Sequence, residues 1–446
     1  MKRFYLSFIV IFLSLSLLAQ ADKKVEVIKK NWNFGALPAV AFDTDLGFQY
    51  GALVNLFDYG AGSRYPKYNH SLYLEVSRYT KGSSTYRFYY NSDQLVKGIE
   101  TSFDLSYLTD QAYDFYGFNG FESVIHPEWI DTDNGAYASR MFYKYDRKLF
   151  RMKVDLQGKI SGDRFRWMAG INFQNFKVAS VNINKINKGK SEADKLPTTT
   201  EVPGLYEKYQ QWGIINTEEA NGGFVPTFKA GVVWDTRDNR PCPMKGIWTE
   251  AIVEVSPKIL GAESSFTQLC LIHRQYFTLV PKDLSFAYRL GYQTTLSGNV
   301  PFYYRSQLIT SVLTGNMSEG MGGAKTLRGV RRNRVIGDGM VYGNAELRWK
   351  FVRFNLINNN FYLGLSAFTD IGKVTKKVDV ESLIASVSSI PQPDYFRWGA
   401  EKMHYSYGAG LHIAMNENFI IAIDYGLAAN KQDGNSGLYM GLNYLF

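Results

Sequence analysis

Gly437-Leu438-Tyr439-Met440-Gly441-Leu442-Asn443-Tyr444-Leu445-Phe446 closes the chain with an alternating strand whose last residue is an aromatic bearing a free carboxylate. Leu438, Met440, Leu442, Tyr444 and Phe446 share one side of a two-residue period, and Tyr439, Gly441 and Asn443 lie on the other. One side is apolar and the other mostly small or polar, as a strand between lipid and a wet lumen requires. A half-buried strand of a soluble sandwich alternates in the same way, so the rest of the chain decides between them.

The opposite end reads as a secretory signal over residues 1–21. Lys2 and Arg3 precede an apolar run from Phe4 to Leu18, and Ala19-Gln20-Ala21 forms a small-x-small cleavage site. The run is too short and too interrupted by serine for a membrane anchor. No later stretch approaches the roughly 20 apolar residues a spanning helix needs, so a membrane form of this protein has to be a barrel. Hydrophobic content of 45% with 15% aromatics sits beside a slightly negative mean hydropathy, because lumen-facing polar residues dilute lipid-facing ones along every strand. Cleavage removes two cations and leaves a formal +7 of the original +9, compatible with anionic lipid headgroups. Two cysteines, Cys242 and Cys270, supply no disulfide framework; whether they pair is open at this level.

Period-two runs bounded by turn residues predict an all-β fold, a transmembrane antiparallel β-barrel of 16 strands over residues 36–446, with a short periplasmic tail at 22–35. The expected strands are 36–42, 47–57, 68–80, 83–92, 98–108, 140–160, 164–178, 224–235, 246–256, 266–278, 283–295, 339–353, 360–372, 404–415, 418–427 and 437–446. With the N-terminus in the periplasm, the long connections (109–139, 179–223, 296–338 and 373–403) all fall outside the cell, and the periplasmic turns are short. Residues 185–221, rich in Lys, Glu, Thr, Gly and Pro, lack periodicity and read as a mobile external loop.

The loop after strand eleven carries Leu327-Arg328-Gly329-Val330 and then the basic run Arg331-Arg332-Asn333-Arg334, in isolation a solvated patch of the kind that attracts lipopolysaccharide. Strand twelve places Asn344, Glu346 and Arg348 on the face opposite Ala345, Leu347 and Trp349, hence inward, and the parity of Phe361, Leu363 and Leu365 turns Asp370 of strand thirteen inward too. Two inward carboxylates on adjacent strands make a receptor for one guanidinium, and Arg328 is the guanidinium to hand.

These residues resemble the BamA and TamA superfamily of outer-membrane assembly barrels, also called bacterial surface antigen proteins. Leu327-Arg328-Gly329-Val330 resembles that family's Val-Arg-Gly-aromatic loop tip, Phe368-x-Asp370-x-Gly372 its strand-thirteen signature, and Glu346 its strand-twelve glutamate. Asp235, Arg237 and Asp238 of a periplasmic turn, with Pro243 and Gly246, and Phe115-Tyr116-Gly117-Phe118-Asn119 after strand five are similar to further family segments. The resemblance implies a long extracellular loop folded into the lumen and locked by Arg328 and Gly329 against Glu346 and Asp370. It also implies a seam between first and last strands that opens sideways, and a role in inserting or translocating proteins, or lipids, at the outer membrane of a Gram-negative bacterium. Pro38, which cannot donate to a ladder, and Gly437 and Gly441, which pack little, mark that seam as weak, with Phe446 at its end.

Two departures stand out. Val330 replaces the aromatic and reduces the packing expected to seat the loop tip. The family's large members carry periplasmic POTRA domains that this sequence lacks, so the implied partners are client outer-membrane proteins, the surrounding lipid and lipopolysaccharide, and periplasmic or lipoprotein subunits standing in for those domains. A diffusion porin is the alternative that barrel architecture alone allows. Enzymatic function is not expected: His70, His126, His273, His404 and His412 are scattered without a nucleophile motif, and no metal, cofactor or nucleotide signature is present. Nucleic acid is not an expected partner, because the Arg331–Arg334 cluster is short and on the wrong side of the membrane.

Overall fold

The computed structural model describes residues 27–446 apart from 39–40, 44–46, 241, 310–319, 386, 388–389 and 418. The signal sequence expected at 1–21, the tail residues 22–26, and Ala39 and Val40 of the expected first strand lie outside the described residues. Strand β1 is described in two pieces, Trp32–Pro38 and Ala41–Asp43, both paired with β2 (Gly47–Asp58). It begins four residues earlier than the sequence suggests, so part of the expected tail is strand.

The ring continues through β3 (His70–Tyr79), β4 (Ser84–Val96), β5 (Ile99–Asp114), β6 (Lys144–Ser161), β7 (Phe165–Ala179), β8 (Phe224–Asp235) and β9 (Gly246–Ser256). It is completed by β10 (Phe266–Val280), β11 (Leu284–Gly298), β12 (Gly339–Leu356), β13 (Asn359–Lys376), β14 (His404–Met415), β15 (Phe419–Ala428) and β16 (Ser436–Leu442). Every neighbouring pair is antiparallel, giving a 16-stranded sheet. It comes round to its start where Tyr439 of β16 pairs with Asp43, the one residue pair described between the two end strands.

No helix among the described residues is long and apolar enough to cross a membrane, so the strands do the crossing. Along them the alternation holds. Leu74, Leu105, Phe150, Phe228, Leu271, Leu347 and Leu365 are exposed on the lipid side, and charged residues fill the lumen in pairs. Arg87 and Arg151 share Asp104 at 2.5 and 3.0 Å, and Lys229 meets Asp155 at 2.7 Å. Buried ions persist because each has a partner; removing one partner leaves an uncompensated charge.

The long connections gather at one end and roof the barrel. Phe115, Phe118, Phe142, Tyr206, Tyr209, Trp212, Phe302 and Phe396 belong to one buried cluster there, with Phe115 and Tyr209 ring centroids 5.2 Å apart and Trp212 4.8 Å from Tyr395. Burial pushes the Tyr209 phenol up to about 12, as expected of a dry cap. Three of these aromatics come from residues 185–221, expected to be a mobile loop. Instead a short helix, Leu205–Gln211, turns Tyr206 and Tyr209 into the cluster. A second correction concerns the chain end. β16 stops at Leu442, Asn443 adopts a left-handed conformation (φ 68°), and Tyr444, Leu445 and Phe446 turn into the lumen instead of facing lipid.

Candidate functional site

In the loop between β11 and β12, the described tip around Leu327–Val330 descends into the barrel. Arg328 is 1% exposed and grips Asp370 bidentately, Nε to Oδ2 at 3.0 Å and Nη2 to Oδ1 at 2.9 Å, with its backbone N–H donating to the same Oδ2 at 3.0 Å. Its Nη1 lies 2.7 Å from Glu346 Oε1 and 3.3 Å from Asp424 Oδ2, and the guanidinium carbon sits 3.4 Å above the centre of the Phe368 ring. One planar cation thus meets three carboxylates and an aromatic face, an arrangement open to arginine and closed to lysine.

The backbone fits as tightly. Gly329 has φ 97°, and a Cβ there would fall 2.6 Å from the carbonyl carbon of Gly426 on β15. Glycine is required on both counts. Its N–H donates to the Tyr439 hydroxyl at 3.1 Å, which ties the tip to β16. Asn344 donates to Asp370 Oδ1 at 2.7 Å and to the Thr326 carbonyl at 2.6 Å. Leu327 and Val330 are fully buried with Leu308, Met321, Val335 and Tyr342, and Gly372 leaves room for Leu327. The missing aromatic at Val330 therefore does not unseat the tip: neighbouring side chains fill the space.

The basic run behind it is internal too. Arg334 donates to the carbonyls of Gly120 and Ser123 at 2.8 and 3.1 Å, and Arg332 lies 3.5 Å from Asp110, so these are anchors between loop, roof and wall and not a lipopolysaccharide patch. Below the tip, Glu346 accepts from Arg348 Nε at 2.7 Å, and Arg348 Nη2 donates to a main-chain oxygen of Phe446 at 2.9 Å. Tyr444 stacks on His412 at 4.1 Å. The chain end is thus joined to the Arg328 cluster through one arginine.

The Omp85 superfamily domain matches residues 67–446. The chain belongs to the Omp85 superfamily. Its fold is similar to that of BamA from Haemophilus ducreyi lacking POTRA domains 1–3 (15% identity, TM-score 0.51, covering 93% of this chain and 71% of that one). It is also similar to CdiB from Escherichia coli (9% identity, TM-score 0.52, covering 93% and 63%). No curated protein matches the chain in sequence. As an Omp85 barrel the protein belongs to the outer membrane of a Gram-negative bacterium.

Within this Omp85 barrel the structure brings Arg328, Gly329, Glu346, Asp370, Leu327, Val330, Phe368 and Gly372 together. Asp235, Arg237 and Asp238 stand apart at the periplasmic turn, where Arg237 pairs with Asp235 at 3.0 Å and stacks 3.7 Å over Trp248, and Asp238 accepts from the backbone of Met244. Pro38, Gly437 and Gly441 lie on the two end strands. Cys242 and Cys270 are buried and unpaired with each other. Sequence reading missed Asp424 and Tyr439. Asp424 shares the inward parity of Ala422 and Gly426, a signal it could have used. His404 is an interior histidine held 2.8 Å from Asp433 and stacked on Phe121.

Proposed function

We propose that this barrel inserts or translocates other polypeptides at the outer membrane, and that the line between β1 and β16 is where the wall yields. The observation that carries this reading is the early end of the last strand. β16 stops at Leu442 and residues 443–446 turn into the lumen, so among the described residues Trp32–Pro38 of β1 pairs with β2 on one side and with no strand on the other. Unpaired strand edges in hydrocarbon are unstable and recruit another strand. Membership of the Omp85 superfamily supports the same reading. Arg328 with Glu346, Asp370 and Asp424 acts as a lock that keeps the loop seated and the lumen blocked while the wall opens. The partners are unfolded outer-membrane proteins, with lipid and lipopolysaccharide against the exposed belt and periplasmic or lipoprotein subunits delivering clients.

Reconstitution tests this. Liposomes bearing the protein are given an unfolded barrel client, and the folded, protease-resistant client is followed with time. Faster folding than in empty liposomes is expected; equal rates in both would contradict the proposal.

A further inference from the structure

Residues 27–31, just ahead of β1, cross the periplasmic rim to the far side of the seam. At one end Asn31 pairs with the loop between β2 and β3, its N–H donating to the Gly60 carbonyl at 2.7 Å and its carbonyl accepting from Tyr59 N at 3.0 Å. At the other end the Asn360 side chain reads the backbone of Val27 with both its groups. Oδ1 accepts from Val27 N and Nδ2 donates to Val27 O, each at 3.1 Å. Between them Lys29 Nζ donates to the Asn358 carbonyl at 2.6 Å and to Asn359 Oδ1 at 2.9 Å.

The anchor is itself rigid. Ile357 and Asn358 form a two-residue turn with both φ values positive, and Asn416 of the next hairpin bonds Asn359 Oδ1 and the Asn360 carbonyl, each at 2.8 Å. The asparagines thereby join the β12–β13 and β14–β15 turns into one bracket. In the ring, β16 and then the seam lie between that bracket and β1. Inside the span, the seam's lower half lacks a final strand, because residues 443–446 have turned into the lumen. The Phe419 ring of β15 fills that place, 3.2 Å from where a Cβ on Gly35 would stand.

We propose that residues 27–31 are a strap that holds the seam shut at the periplasmic rim, buckled to Asn358, Asn359 and Asn360. Among the described residues Trp32–Pro38 has no partner strand on the β16 side, and the strap carries the load across that gap. This concerns what keeps the wall closed and stands whether or not clients leave through it.

Hydrogen exchange of the full-length protein in nanodiscs tests the strap, comparing wild type with Lys29→Ala and Asn360→Ala. Amides of residues 32–43 and 436–442 are expected to exchange roughly two- to tenfold faster in both variants, the range that one or two lost hydrogen bonds gives, while β5 to β8 are unchanged. Asn360→Ala also loosens the bracket, so Lys29→Ala is the cleaner arm. Unchanged seam exchange in Lys29→Ala would overturn the proposal, as would an equal rise all round the ring.

Discussion

Arg328 is the residue on which the interior is organised. It is fully buried, and three carboxylates converge on it from β12, β13 and β15. Removing it strands those charges, so Arg328→Ala is expected to destabilise the barrel by about 3–5 kcal/mol. The loss is read as the temperature at which the folded band disappears in detergent electrophoresis. Arg328→Lys is expected to recover little, since an ammonium cannot bond both Asp370 oxygens while reaching Glu346. Unchanged heat resistance in the alanine variant would refute the lock. Glu346 and Asp370 were legible in the sequence because strand parity alone turns them inward. Asp424 was not recognised, although its parity was visible, because β15 lies three strands from β12 and its meeting with Arg328 depends on the curvature of the wall between them. The burial of Arg332 and Arg334 was hidden for a related reason: a basic run reads as solvated until acids from other elements surround it.

Among the elements, strand positions were the most legible, since lipid on one side and water on the other imprint a period of two. The helix Leu205–Gln211 escaped notice because two turns are too short for a clear helical period within a polar loop, although Leu205, Tyr206, Tyr209 and Trp212 do fall on one helical face. The end of β16 was misread because Tyr444 and Phe446 suit lipid and lumen equally; only the left-handed Asn443 redirects them. The roof's aromatics carry real packing energy. Phe302 is 3% exposed among Phe115, Tyr145 and Tyr206. Phe302→Ala is expected to cost about 3–5 kcal/mol. Thermal unfolding followed by tryptophan fluorescence checks it, and a change under 1 kcal/mol would mean that the roof is not a packed core.

At the scale of the molecule, the aromatic roof and the tip of the loop fill much of the lumen, which holds a cavity of about 1060 Å³ lined near the periplasmic turns by Arg64, Arg166 and Arg240. A lumen so filled conducts poorly. Single-channel recording in planar bilayers is expected to give low, irregular conductance, where a diffusion porin would give a large steady one. Deleting the roof segment 205–212 is expected to raise it. The ring of sixteen and the placement of long connections on one side followed from the sequence, because alternation and turn length are local. That residues 443–446 leave the wall beside β1 did not, because it depends on the left-handed turn at Asn443.

Sealing the seam covalently tests its role most directly. Cysteines at Ala41 and Gly441, two positions along from Asp43 and Tyr439 in the same antiparallel register, leave the Arg328 cluster untouched. Insertion of an unfolded client into proteoliposomes is expected to stop when this pair is oxidised and to return on reduction. Insertion that runs equally fast with the disulfide closed would contradict the seam as the working part of the barrel.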